Sequence, residues 1–512
     1  MIFIYCSIKS AGILGIEPYI VNIEADISNG LPYFNMVGLL ASEVREARER
    51  VRSALKNINQ AIPMGRVVIN LSPADLRKEG TGFDLPIAIA LLCTMHQFNE
   101  GIFDDTLVIG ELGLDGEIKP VKGILPIVNM AKKNGIYKFV IPYDNQNEGK
   151  LIDGVKIVSF RHLKEVVNYY CNGDTITDDL ETCSEQCYNK GEVLSDSDDY
   201  SQIYGQESVK RAVVIAVSGF HNLLMVGPPG VGKSMLASRI PSVMPLMSMD
   251  ERIEVSGIHS ICGLLDGGRL VEKRPFSSPH HTITSAGLIG GGRIPRPGEI
   301  TIAHKGVLFL DELPEFHPNV IDALRQPLEE GVVKIFRTGG SYVFPADCLF
   351  VAAMNPCRCG YYPDRNRCNC SETDVKRYLS RISGPILDRF DLSIQVPRVS
   401  LENMYDSGDK KGLLKNHLTS KEMKMMISRA MEVQRERQGC TKNGKLSIDE
   451  IRKYCTIDVE CSDFMKEAYE KLNMSMRGYH KVLKVSRTIA DLDGKETIGI
   501  DHLSEALAYR LG

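Results

Sequence analysis

Apolar and polar positions follow two periods along the chain. Residues 19–27, YIVNIEADI, alternate every second position and predict a half-buried strand. Residues 42–60 repeat Val44, Ala47, Val51 and Leu55 at helical spacing, with Ser42 the expected N-cap. Residues 67–71 predict a strand, and 83–93 a buried helix starting near Pro86. Residues 107–112 and 138–142 predict strands on either side of a helix over 124–134. Residues 223–226, 306–312 and 349–355 are short apolar runs, the second ending in Asp311-Glu312 and the third in Asn355, and predict buried strands. Residues 332–337 alternate, 338–341 (TGGS) turn, and 342–344 return, which predicts a β-hairpin. From Ser420 the period is helical. Met423, Met426, Ile427 and Ala430 line one face, a core-packing stripe, and further helices are expected near 447–455, 460–473, 477–492 and 500–510. The alternation predicts an α/β protein with a helical C-terminal segment.

Composition narrows this picture. A chain of 512 residues allows about three domains. Hydrophobic residues make up 43% and charged residues 25%, as expected of a globular protein with a sizeable core. The net charge of −4 gives no global field for nucleic acid, so any such contact must come from a local basic surface. No apolar run approaches the ~18 residues of a membrane span. The opening MIFIYCSIKSAGILGI lacks a basic leader, so no signal peptide is expected. Fourteen cysteines without the pattern of a small secreted scaffold point to a reducing cytoplasm. Residues 172–199 are rich in acids and poor in apolar positions, and read as a solvated connector. Cys183 and Cys187 within it have no second pair nearby. The expected division is 1–170, an acidic linker over 171–200, a core over 201–400, and a helical connector and lid over 401–512.

The strongest chemical signal is Gly227, Pro228, Pro229, Gly230, Val231, Gly232, Lys233 and Ser234. It follows a buried strand and precedes a helix, the context a P-loop requires. Its glycines let backbone N–H groups turn around phosphate oxygens, and the helix N-terminus adds its positive end. Lys233 would neutralise the β- and γ-phosphates of ATP, and Ser234 would ligate Mg²⁺. Asp311 and Glu312 end the 306–312 strand in the Walker-B pattern. Asp311 would hold the Mg²⁺ shell, and Glu312 would orient and deprotonate the attacking water.

Cys357, Cys359, Cys368 and Cys370 place four thiols within one short segment. Four thiolates in a reducing cytosol favour a structural Zn²⁺, although C-x-C pairs bite more tightly than the commoner C-x₂-C. Unliganded or reactive cysteines are the alternative. His280, His281 and His304 lie in a His-, Arg- and Gly-dense insert over 274–306 but lack an acidic or thiol partner at ligand spacing. That insert reads as a mobile loop. Lys334 and Arg337 on the hairpin would suit a phosphate backbone.

Several stretches resemble a known family. DISNGLPYFNMVGL (26–39), NLSPADLRKEGTGFDLPIA (70–88) and GELGLDGEIKPVKGI (110–124) are similar to the Lon-protease-like domain, of ribosomal S5 domain 2-like fold, that opens the YifB/ComM family of magnesium-chelatase-like ATPases. Where Lon carries its Ser-Lys dyad, this chain has Gly82, Phe83 and Asp84, and Leu125-Pro126. Proteolysis is therefore not expected, and Asp84 and Glu111 read as structural. Tyr204, Gly205 and Gln206 resemble the segment that AAA+ proteins place beside adenine. Asn355 matches their sensor-1 position. SGPILDRFDLSIQVP (383–397) resembles the arginine-finger segment, with Arg389 the implied finger, acting in trans, and Arg381 its rival. MSMRGYHKVLKVSRTIADLDG (474–494) resembles the sensor-2 helix, with Arg477 the first choice and Arg487 the alternative. The resemblance implies a Lon-like domain, an AAA+ core and a helical lid, assembled as a homo-oligomeric ring, a hexamer. It implies a DNA helicase or translocase promoting branch migration in recombination or natural transformation, with single-stranded or branched DNA as partner. A chelatase-like motor that remodels a protein partner is the alternative.

Overall fold

The computed structural model describes residues 5–99, 101–172, 199–337, 340–398 and 418–510. Residues 1–190, 248–271 and 335–343 form one unit, and 191–247, 272–334 and 344–512 the other.

The first unit is built on a seven-stranded mixed sheet. Its strands are β1 (Cys6–Leu14), β2 (Glu17–Ser28), β3 (Tyr33–Val37), β4 (Arg66–Ser72), β5 (Thr106–Val108), β8 (Lys138–Pro142) and β9 (Lys156–Phe160). A small separate hairpin pairs β6 (Glu111–Leu112) with β7 (Ile118–Lys119). The sheet order is β3-β4-β2-β1-β5-β8-β9. The helices Ser42–Asn57 and Asp84–Thr94 bury Val44, Val51, Leu85 and Leu91 in one core cluster with Ile23 and Ile69 of the sheet. The helix Ile124–Lys133 buries Leu125, Ile127 and Val128 in a second cluster with Leu107 and Phe139.

Local chemistry moves three predicted boundaries. Ser42 is the first helical residue and Ala41, extended at φ −71° and ψ 168°, is the N-cap, with its N–H held by the Lys78 carbonyl at 3.0 Å. The Asp84–Thr94 helix begins two residues before Pro86, which is tolerated in a first turn that needs no N–H donor. The strand expected over 107–112 breaks at Ile109–Gly110. There the Gly110 N–H donates to the Gly82 carbonyl and its own carbonyl accepts from Leu85 N, both at 3.0 Å.

The second unit holds a five-stranded sheet of β10 (Leu223–Val226), β11 (Phe276–Ser277), β14 (Val307–Leu310), β17 (Leu349–Met354) and β18 (Leu392–Gln395). Every pairing is parallel, in the order β11-β14-β17-β10-β18. β10, β14 and β17 are buried at every position, as continuous apolar runs require. The helix Glu207–Gly219 and the C-terminal helices Ser420–Gln438, Ile448–Tyr454, Val459–Lys471, Met476–Leu492 and Ile500–Ala508 contribute to the same apolar core cluster. Met423 and Ile427 are buried in it, and Ala430 is buried on the same helix. The insert over 274–306 is not an irregular loop. It contains the helices Ser285–Ile289 and Glu299–Ile302 and a tight pair, β12 (Gly290–Gly291) with β13 (Arg296–Pro297). The expected hairpin is β15 (Val332–Arg337) and β16 (Gly340–Pro345). Cys183 and Cys187 lie outside the described residues.

Candidate nucleotide site

Because β14, β17 and β10 are parallel neighbours, the residues after each strand leave the sheet along one edge. Leu310 is level with Ala352, and Val226 with Met354. Gly227, Asp311 and Asn355 therefore meet. Gly227 is tightly enclosed: a Cβ there would lie 2.6 Å from the Val396 carbonyl oxygen. Gly230 and Gly232 are required for conformation instead, with φ of +76° and +87°.

The Lys233 Nζ donates to the Gly227 carbonyl at 2.7 Å, the Pro228 carbonyl at 2.9 Å and Asn355 Oδ1 at 3.0 Å. Burial lowers its pKa, while Asp311 and Glu312 oppose that shift. The Ser234 hydroxyl donates to Asp311 Oδ2 at 2.5 Å. These two hard oxygens converge as Mg²⁺ ligands would. Glu312 sits in the left-handed region, φ +53° and ψ +46°, which costs a non-glycine residue about 1 kcal/mol. Its N–H donates to Asp311 Oδ1 at 2.9 Å, and its exposed carboxylate lies 3.9 Å from His281 Nδ1. The His280 ring lies against that of His281, centroids 4.0 Å apart and tilted by 37°, whereas His304 Nδ1 accepts from the Asp347 N–H at 3.1 Å.

Gln206 is buried, and its Nε2 donates to the Pro397 carbonyl at 3.0 Å and reaches the Val231 carbonyl at 3.5 Å. Its Oε1 is buried with no hydrogen-bond partner among the described residues. Tyr204 nearby in sequence is half exposed.

Arg389 lies at the other end of the sheet. It precedes β18, whose Leu392 is level with Leu223 at the start of β10. Its carbonyl accepts from Asn222 Nδ2 at 2.9 Å. Its guanidinium pairs with Glu329 and donates to the Pro385 carbonyl at 2.6 Å, while Nε is buried with no acceptor among the described residues. Asn222 went unnoticed in the sequence. It ties three strand starts together, accepting from Phe350 N with Oδ1 at 3.3 Å and from Leu392 N with its carbonyl at 3.0 Å. No motif marks a lone Asn before an apolar run. Arg381 instead pairs with Glu315 at 3.0 Å, beside the turn that follows Asp311 and Glu312.

Arg477 lines one cavity together with Arg389, Glu329, His480, Lys481 and Lys484. Arg487 is 2% exposed and spends its donors on Asp491 Oδ1 at 3.0 Å, the Glu496 carbonyl at 2.6 Å and the Lys495 carbonyl at 2.5 Å. On the hairpin, Lys334 pairs with Glu330 at 2.8 Å, and Arg337 Nη1 reaches the Phe336 carbonyl at 3.3 Å. The Sγ atoms of Cys357, Cys359, Cys368 and Cys370 all lie within 4.8 Å of one another. The Tyr361 N–H holds the Cys359 thiol down to about 6.

In the first unit, Phe83 is buried and Asp84 is gripped by Arg50, at 2.6 Å from Nε and 2.9 Å from Nη2. Burial raises the Asp84 pKa against that pairing. Glu111 accepts from the Thr81 hydroxyl, and Leu125 is buried.

A parallel sheet with a glycine-rich loop after one strand, two acids after another and a polar Asn after the strand between them defines a P-loop protein of the AAA+ type. Three family models cover most of the chain: "Magnesium chelatase, subunit ChlI" over 199–404, "Subunit ChlI of Mg-chelatase" over 23–145 and "Magnesium chelatase, subunit ChlI C-terminal" over 417–510. The chain is 41% identical over 503 residues to the competence protein ComM of Haemophilus influenzae, covering 98% of this chain and 97% of that one. It is 39% identical over 506 residues to the YifB protein of Escherichia coli, covering 97% and 95%. It is also 31% identical to Lon protease 2 of Bacillus subtilis over 98 residues, 19% of this chain and 17% of that one. The chain belongs to the YifB/ComM family of magnesium-chelatase-like proteins. Among the described residues no helix is long and apolar enough to cross a membrane.

Proposed function

We propose that this protein is an ATP-driven ring motor, a homo-hexamer that translocates on single-stranded or branched DNA and promotes branch migration. The observation that carries the ring is the separation of Arg389 from its own P-loop by the length of β10. This placement supports a finger that completes a neighbour's site. In this reading Gly227–Ser234 cradle the phosphates, Lys233 neutralises them, and Ser234 and Asp311 hold Mg²⁺. Glu312 activates water and Asn355 reads the γ-phosphate. Tyr204 and Gln206 flank adenine, with the uncommitted Gln206 Oε1 as acceptor for its amino group. Arg477 shares the Arg389 cavity and so acts in trans beside it, while Arg487 is structural.

Residues 1–170 are a Lon-like domain without the Ser-Lys dyad, a reading supported by the likeness to Lon protease 2. Residues 171–200 are the linker, 201–400 the AAA+ core and 401–512 the connector and helical lid, in the cytoplasm. Cys357, Cys359, Cys368 and Cys370 hold a structural Zn²⁺. The relative named as a competence protein supports a role in natural transformation. Lys334 and Arg337 would meet the DNA backbone, which reconciles DNA binding with a net charge of −4. The second reading, a motor that remodels a protein partner, is favoured by the chelatase-subunit models that match the chain. ATP turnover measured with and without single-stranded and junction DNA separates them. The DNA reading predicts stimulation and salt-sensitive binding. Unchanged turnover and no binding would refute it.

A further inference from the structure

The four-cysteine loop begins two residues after Asn355 and folds onto itself. Cys357 and Cys368 are buried in a small cluster with Val375, against which Tyr361, Tyr362 and Leu379 pack. The Sγ separations are 3.3 Å for Cys357–Cys359, 3.5 Å for Cys359–Cys368 and 3.8 Å for Cys357–Cys368. Four sulfurs at the zinc–thiolate bond length of ~2.3 Å, tetrahedrally arranged, would be about 3.8 Å apart. The cluster thus has the size of a single-ion site. A multi-iron cluster would push the sulfurs further apart. The Tyr362 N–H points at Cys357 Sγ, 3.4 Å away, as backbone donors do toward thiolate ligands.

The same loop leans on the nucleotide site from two sides. Gly360, between the second cysteine and Tyr361, has φ +86°, and a Cβ there would lie 2.5 Å from Cδ of Pro229. The loop backbone is therefore packed directly on the P-loop. The Tyr361 ring lies 5.2 Å from the Arg398 guanidinium. Arg398 follows Pro397, whose carbonyl is tied through Gln206 to Val231 of the P-loop. A metal ion bound here would displace the thiol protons and tie all four sulfurs to one point, which couples the shape of the loop to metal occupancy.

We propose that one Zn²⁺ bound by Cys357, Cys359, Cys368 and Cys370 turns this loop into a buttress that holds the P-loop in its phosphate-binding shape through Gly360 and Pro229. The proposal rests on the zinc and nucleotide readings above and adds that nucleotide affinity depends on the metal. The test uses the full chain. Elemental analysis of protein purified without added metal is expected to give one zinc per chain. Titration with a fluorescent ATP analogue is then made on purified, zinc-stripped and zinc-reloaded protein. Stripping should weaken affinity about tenfold, and zinc should restore it. Gly360→Ala changes no ligand. It should keep its zinc yet lose affinity to a similar extent, because the added methyl displaces Pro229. Absence of zinc, or iron in its place, overturns the metal assignment and the proposal with it. One zinc per chain, with affinity unchanged by stripping or in zinc-bearing Gly360→Ala, overturns the buttress and leaves the metal assignment standing.

Discussion

Mixing two inactive variants tests whether Arg389 serves a neighbouring subunit. β10 and β18 run in register from Leu223 with Leu392 to Val226 with Gln395. From the Leu392 level to Gly227 is therefore four steps, about 13 Å at ~3.3 Å per residue. Arg389 starts three residues further back, and its carbonyl is pinned to Asn222. Its guanidinium is held by Glu329 and the Pro385 carbonyl. Arg389→Ala should lower ATP turnover about 10³-fold, equivalent to about 4 kcal/mol of transition-state stabilisation. Glu312→Gln should bind ATP and turn over as little. In rings assembled at random from equal amounts of the two, about a quarter of head-to-tail interfaces pair an intact Glu312 with an intact Arg389. Phosphate release should then recover to about a quarter of the wild-type rate. If Arg389 acted on its own nucleotide, every subunit in the mixture would remain defective. No recovery, with mixed rings verified by two affinity tags, would refute the trans assignment.

Three further outcomes follow from particular contacts. Arg487→Ala should destabilise the fold by about 3 kcal/mol, at the low end for a broken buried pair because Arg437 still holds Asp491 at 2.9 Å. Arg477→Ala should leave the denaturation midpoint in place and lower turnover, and the reverse pattern would exchange their roles. Asp347 and Asp391 are both held below the usual aspartate range. Burial works to raise each, but Lys305, Lys445 and His304 outweigh it at Asp347, and His221, Lys481 and Lys484 at Asp391. The unfolded chain therefore takes up their protons first. Their stabilisation is complete above about pH 4 and is lost as pH falls through the depressed folded values. Urea midpoints should drop on acidification into that range, and a flat profile would contradict the pairing. Replacing Lys334 and Arg337 together by Ala should reduce the salt slope of DNA binding by about 2, and an unchanged slope would remove the hairpin from the DNA path.

The candidate nucleotide site is legible in the sequence because its chemistry is local. A P-loop spans eight consecutive residues, and Asp311, Glu312 and Asn355 each end an uninterrupted apolar run. What stayed hidden depends on strand order. That Asn355 meets Lys233 while Arg389 lies a strand length away follows from β17 sitting between β14 and β10 and β18 flanking β10 on its other side. No spacing along the chain encodes that. Asn222, the knot of three strand starts, carries no motif, and the Gly360 contact with Pro229 joins residues more than a hundred positions apart. Arg477 and Arg487 share one helix and could not be separated by pattern, yet burial commits Arg487 to Asp491 and two carbonyls. In the first unit, β1, β3 and β9 carry no clear sequence signal. β1 carries Lys9 and Ser10 amid apolar residues and does not alternate cleanly, and β9 is only five residues long. The strand over 107–112 was overextended because its break at Gly110 is made by partners at Gly82 and Leu85, distant in sequence.

On the proposed function, ATP hydrolysis between subunits drives movement along DNA. The most direct test is displacement of a labelled strand from a three-stranded or four-stranded junction by the purified protein with ATP and Mg²⁺. Displacement is expected from the wild-type protein, and none from Glu312→Gln or with a non-hydrolysable analogue. A wild-type protein that hydrolyses ATP but leaves every junction intact would contradict the proposed function.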